Sequence, residues 1–311
     1  RPSSVTQPCS KGGRAIMIHK KTVGEYIFDA LNSISMVFLM FITAYPLYYV
    51  AVSSVSDSSL LMGNRGMVLA PKGFNIAAYK AVFNNPSILT GYRTTLIVVV
   101  FGTILSVFMT ALGAFLITRK RFAVKKVVSY MMLFTMFFSG GMIPTYLLVQ
   151  KWLHMGDMII SLFIPTAIST YNLLIMKSNF EQIPDSLEEA AQIDGANDLL
   201  LFFRIILPLS VPIIAVMVLF YGVGYWNSWF QAMMYIRTRS KYPLQLVLRE
   251  ILLMNNTSGT GAVASSAGEQ YVLSESIKYA TIMVATVPIL LIYPFIQKYF
   301  VKGMMIGAVK G

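Results

Sequence analysis

The sequence predicts an all-α integral membrane protein with six transmembrane helices, and three observations carry that class. Of its 311 residues, 56% are hydrophobic and 12% charged, with a mean hydropathy of +0.65, outside the range of soluble globular chains. Six apolar runs are long enough to cross the hydrocarbon, for which about 20 residues suffice. Five of them, 94–118, 127–150, 158–176, 205–236 and 279–297, contain no Asp, Glu, Lys, Arg or His.

Residues 1–16, RPSSVTQPCSKGGRAI, are polar and aperiodic. They read as a disordered or artificially added lead, with Met17 a candidate natural first residue and 17–311 the transmembrane domain. The first span, Ile27 to Val52, follows the basic patch His19, Lys20 and Lys21. Its length and the lack of a small-residue cleavage site argue against a signal peptide, and Pro46 should bend it near its outer end. From Ser53 to about Tyr92 the chain is polar, and PKGFNIAAYKAVFNNPS reads as turn, short amphipathic helix and turn on the outside.

In the second span, Thr94 to Thr118, Gly102, Ser106, Thr110 and Ala114 recur every four residues and form one small-residue face for close helix packing. The five positive charges of RKRFAVKK, Arg119 to Lys126, belong on the cytoplasmic side. The third span, Val127 to Gln150, should break or kink at Ser139-Gly140-Gly141 and Pro144. A short outer turn with Lys151 and Asp157 leads to the fourth, Met158 to Met176. The fifth runs from about Ile205 to Ile236. Arg237 to Lys278 is an outer segment with an amphipathic helix near Leu244 to Met254 and a flexible NNTSGTGAVASSAG; the sixth span covers about Tyr279 to Phe300. An even number of spans puts both termini in the cytoplasm. The net charge of +12 is then explained by topology, not by nucleic acid.

Composition narrows the chemistry. One cysteine, Cys9, forms no internal disulfide, and His19 and His154 lie far apart with no metal-ligand spacing, so no metal site is expected. Without a titratable group in spans two to six there is nothing to harness a proton gradient. Without a GxxxxGK[ST] loop there is no nucleotide site. The acids Asp185, Glu188, Glu189, Asp194 and Asp198 lack the histidine or metal spacing that a membrane-embedded transferase needs.

Those acids lie in SLEEAAQIDGANDLLLFFRIILPLSVP, residues 186–212, between the fourth and fifth spans. Ser186 and Glu189 have the spacing of a capping box that would start a short helix, and Asp194-Gly195 is a turn signal that would end it. Ala190 and Ala191 are small enough to let another surface approach the backbone. EAAQIDGA followed by FFRIILP resembles the cytoplasmic EAA loop of bacterial ABC importer permeases, and its Asp-Gly-Ala form is similar to the sugar-transporting, maltose-type branch. YWNSWF at 225–230 and YPLQLVLREIL at 242–252 are similar to the permeases of complex-polysaccharide importers, the alginate importer among them.

The resemblance covers nearly all of the chain from Met17. It implies a MetI-like, type I importer permease fold with a cytoplasmic coupling helix in a loop at 181–206, multi-pass in the bacterial cytoplasmic (inner) membrane. It implies a heterodimer with a second homologous permease subunit, two ATPase subunits, an extracytoplasmic sugar-binding protein and membrane lipid, with no nucleic acid. This subunit would be no enzyme and hold no cofactor, ATP and Mg residing on the ATPase subunits. Glu188, Glu189, Ala190, Ala191, Asp194 and Gly195 would seat on the ATPase and pass its motion on; the alternative for Glu189 is that it only caps its own helix.

Two further groups stand out. Tyr221, Tyr225, Trp226, Asn227 and Trp229 in the fifth span, with Tyr171 and Asn172 in the fourth, offer rings that stack on sugars and amides that match hydroxyls. They are candidates for a substrate pathway, the alternative being an aromatic belt with an interhelical hydrogen bond. Arg237, Arg239, Lys241 and Arg249 run against the positive-inside rule. An acidic oligosaccharide such as an alginate fragment, or the acidic rim of a binding protein, would meet them; solvated charge or lipid headgroups are the alternative. Neutral sugars and peptides remain alternative cargoes.

Overall fold

The computed structural model describes residues 22–62, 67–119, 123–257, 276–292 and 294, so the lead at 1–16, the basic patch at 19–21, most of NNTSGTGAVASSAG and the end of the sixth run lie outside the described residues. Apart from one isolated antiparallel bridge between Ser56 and Phe74, the described chain is helical with connecting turns. Residues 1–49 make one compact unit and 50–311 the other. Helix α1, Val23–Ser54, contains Pro46 without ending there. Its apolar side chains are exposed on every side between Val23 and Phe41, the pattern of a helix surrounded by lipid or by another chain.

In the second unit, α2 (Ser58–Met62) and α3 (Ala77–Phe83) precede α4, Pro86–Thr118. Helix α4 starts eight residues before the expected span because Asn85 caps it, accepting the Ser87 N–H at 3.0 Å, and Pro86 occupies the first turn, where a missing N–H is harmless. The following apolar runs are not straight spans. Helix α5 (Lys125–Phe137) and α6 (Met142–Leu147), which continues as a wide turn to Trp152, meet at 112° across Ser139-Gly140-Gly141, with Gly141 at φ +85. Only glycine adopts that backbone without strain.

The fourth expected span is a correction. Instead of a membrane-length helix over 158–176, a short turn at Ile159–Leu162 leads to irregular chain and then α7, Thr170–Phe180. Pro165 disfavours a helical Ile164 and donates no N–H, and Ser169 restarts the helix by accepting from the Asn172 N–H. The fifth is also interrupted. After α8 (Asp185–Ile193), α9 (Asp198–Leu201) runs through a wide turn at Phe202–Ile206 into α10 (Leu207–Leu209), and the chain bends by 82° at Ser210 into α11, Val211–Trp226. Pro208 and Pro212 flank that bend, and each removes one backbone donor. Helix α12 (Trp229–Tyr235), α13 (Leu244–Thr257) and α14 (Ser276–Ile292) complete the described chain.

By length and composition, α1 and α4 can each cross a membrane, and the two bent pairs bring the number of candidate spans to four among the described residues. Helix α4 is the element the second unit packs around. Gly102, Ser106, Thr110 and Ala114 are all buried, and a Cβ on Gly102 would stand 2.9 Å from Phe163 Cβ and from Tyr225 Cε2. In lipid, where no hydrophobic force draws apolar helices together, such close approach and interhelical hydrogen bonds supply the attraction. The buried core formed there includes Val98, Phe115, Met176, Phe202, Ile206 and Met217.

Candidate functional site

Helix α8 starts two residues earlier than the Ser186–Glu189 spacing suggests. Pro184 stands at its cap, no side chain caps it, and Ser186 is already inside the helix, so the capping-box expectation fails. A proline with φ −59 followed by Asp185 and Glu188 in the first turn is an adequate start, because the proline is already turned for helix entry and acids suit the positive end of the dipole. The end is well made. Gly195 has φ +80, its N–H donates to Gln192 O at 3.0 Å, and Ala196 N–H donates to Ala191 O at 2.9 Å, which is a Schellman closure.

This helix shows two faces. Ala191 packs into the core, and Glu188 pairs with the Arg119 guanidinium at the end of α4, both side chains being largely shielded. Arg119 in turn lies 4.3 Å from the centre of the Phe115 ring, which packs on Phe202 at 5.0 Å. The other face carries Glu189, Ala190, Asp194 and Gly195, all exposed, beside Ile193, which is 86% exposed. Arg119 was legible only as one charge of a cytoplasmic cluster; its partner lies 69 residues away.

Of the aromatic group, Tyr221 and Tyr225 sit in the helix packing. Both are buried, and their hydroxyls lie 2.7 Å from Thr110 Oγ1 and Ser106 Oγ respectively. Tyr221 also accepts the Ser169 N–H at 3.0 Å, and Tyr225 donates to Phe163 O at 3.3 Å. The two rings thus stitch α11 to α4 and to the irregular segment before α7. Both pairs are spaced by four residues, one helical turn, and that matched spacing was the available sequence signal.

Two cavities take up the remaining candidates. Tyr171, Asn172 and Trp226 line the larger one, about 1120 Å³, whose other walls are apolar residues such as Val99, Phe108 and Val218. Asn227, Trp229 and Arg249 line the smaller, about 340 Å³, together with Gln245, Thr281 and Thr286, which the sequence did not single out.

The outer basic residues meet partners in their own chain. Lys241 bridges Asp157 at 2.9 Å, Arg239 bridges Glu250 at 3.3 Å, and Arg249 lies over the Trp229 ring at 3.9 Å. Arg237 is exposed, and its N–H donates to Asp157. Asp157 is the hub of this cluster. Its carboxylate accepts the Thr238 hydroxyl at 2.6 Å and N–H at 2.9 Å, the Lys241 ammonium, and the Arg237 N–H at 3.0 Å. The Thr238 donors above all, then Lys241 and Arg237, hold its carboxyl well below the ordinary 3.8.

A carboxyl depressed in the folded state adds stability that is fully present above 3.8 and lost as pH falls from there toward the folded value. Asp157→Asn should lower thermal stability at neutral pH by about 1 kcal/mol, modest because water screens the site. Thermal unfolding at pH 7 and pH 3 checks this: the gap between variant and wild type should narrow in acid.

The sequence matches the profile of the family described as "binding-protein-dependent transport system inner membrane component" over residues 109–306. It is 39% identical to the protein LplC of Bacillus subtilis, over 94% of this chain and 98% of that protein. It is 40% identical to the polygalacturonan/rhamnogalacturonan transport system permease protein YtcP of the same organism, over 92% and 99% respectively. Its fold superposes with a TM-score of 0.82, at 28% identity, on a chain in the crystal structure of a bacterial ABC transporter involved in the import of the acidic polysaccharide alginate, covering 91% of this chain and 99% of that one. The chain therefore belongs to the inner-membrane permease family of binding-protein-dependent ABC importers, whose members are transport subunits and not themselves enzymes.

Proposed function

We propose that this subunit passes oligosaccharides, with acidic polysaccharide fragments the favoured cargo, from an extracytoplasmic binding protein into the cytoplasm, driven by ATP hydrolysed on partner subunits that carry ATP and Mg. It pairs with a second permease and two ATPases. Six crossings are formed by α1, α4, the bent α5–α6 pair, the stretch 158–180, the bent α9–α11 run and α14 with its continuation, and both termini are cytoplasmic. Helix α8 is the coupling helix. The observation that carries this reading is its exposed face of Glu189, Ala190, Ile193 and Gly195 on a helix whose opposite side is fixed to α4. The cargoes of the similar proteins, polygalacturonan/rhamnogalacturonan and alginate, support an acidic sugar.

The test is Gly195→Asp. Nothing lies within 4 Å of a Cβ at this position, so the substitution meets no neighbour in its own chain; the positive φ costs about 1 kcal/mol. The complex should still insert, while sugar-dependent uptake into proteoliposomes falls at least tenfold and ATP hydrolysis loses its dependence on loaded binding protein. Wild-type uptake by that variant would remove α8 from the coupling role.

A further inference from the structure

We propose that the smaller cavity, between α12, α13 and α14, is a contact subsite for one acidic sugar unit, with Arg249, stacked on Trp229, taking the carboxylate. This rests on the importer reading but assigns a cargo site to this subunit that neither the fold nor the family supplies.

The outer cations sort by what they meet. Arg239 and Lys241 each have a carboxylate of their own chain, and Arg237 is exposed and lines neither cavity. Arg249 is different. Among the described residues, its guanidinium contacts only the Trp229 ring and Met233 Sδ at 3.2 Å. A thioether is a weak acceptor, so a planar donor fork suited to a carboxylate stands at a cavity wall with no anion. Stacking on Trp229 holds that fork in place, which reduces the ordering needed when a ligand arrives.

Asn227, Gln245 and Thr286 add donors and acceptors around the same space. One guanidinium and several neutral polar groups match a ring that bears a carboxylate and hydroxyls. At about 340 Å³, the cavity lies at the low end of small-molecule sites and suits a terminal sugar unit, not a polymer.

The experiment measures binding of galacturonic acid trisaccharide, and of the same trisaccharide with its carboxylates methyl-esterified, to the assembled importer in phosphatidylcholine nanodiscs without binding protein. Wild type should prefer the acid about tenfold, the worth of one charge-assisted hydrogen-bond pair. Arg249→Met should bind the two forms alike, and Arg249→Lys should keep part of the preference, which separates loss of charge from loss of fold. No preference in wild type, a preference that survives in Arg249→Met, or none left in Arg249→Lys would overturn the subsite. So would its disappearance when phosphatidylglycerol replaces phosphatidylcholine, which would assign Arg249 to a lipid headgroup. ATP-dependent uptake of the trisaccharide with binding protein present tests the importer reading separately: uptake without subsite preference leaves the function standing and removes only the site.

Discussion

Glu188→Arg should reduce uptake to background, and adding Arg119→Glu should restore a substantial part of it. The ion pair links α8 directly to the end of α4, and the two side chains are only 13% and 20% exposed. Placing two guanidinium groups there leaves both largely shielded and unpaired, which costs about 3–5 kcal/mol in comparable buried pairs. That exceeds what Ala191 alone can offset by burying its methyl group in the core, about 1 kcal/mol. Helix α8 would then no longer be held to α4. A merely stabilising pair would lower the thermal midpoint and leave the ratio of sugar moved to ATP hydrolysed unchanged. A transmitting pair changes that ratio, so the ratio in proteoliposomes is the measurement, and an unchanged ratio in the single variant ends the argument.

How much of this was legible in the sequence depended on how far each cause reaches along the chain. Local causes read well. Gly140-Gly141 broke the third run, Gly195 closed α8, and the four-residue recurrence of small residues marked the face of α4 that packs. The amphipathic pattern at 244–254 became α13, with Leu244, Val247 and Leu248 buried. Long-range causes did not read. Tyr221 and Tyr225 have the composition of a sugar path, and their hydroxyl partners, 111 and 119 residues away, were not legible. Arg239 and Lys241 looked like unmatched outer charge because Glu250 and Asp157 come to them through the fold. The fourth span misled for a different reason: average hydropathy over 158–176 is blind to a single Pro165 that stops a helix.

Gly102→Leu should prevent assembly of the subunit, the largest stability effect expected of any single substitution here. The first added carbon already stands 2.9 Å from both Phe163 Cβ and Tyr225 Cε2, closer than real Cβ contacts come. Neither neighbour is the free end of a flexible chain. Phe163 Cβ is one bond from the backbone, and the Tyr225 ring is held by Ser106 on one side and the Phe163 carbonyl on the other. Relief therefore requires α4 and α11 to separate, which breaks the neighbouring Thr110–Tyr221 contact as well. Gly102→Ala isolates the first step and should cost about 1–3 kcal/mol, the usual range for overpacking a filled core. Gly224→Ala, on α11 with nothing within 4 Å of the added carbon, is the matched control and should be neutral or slightly stabilising. Yield of folded subunit and its thermal midpoint read all three variants. If Gly102→Ala were as stable as Gly224→Ala, the small-residue face of α4 would not be what holds these helices together.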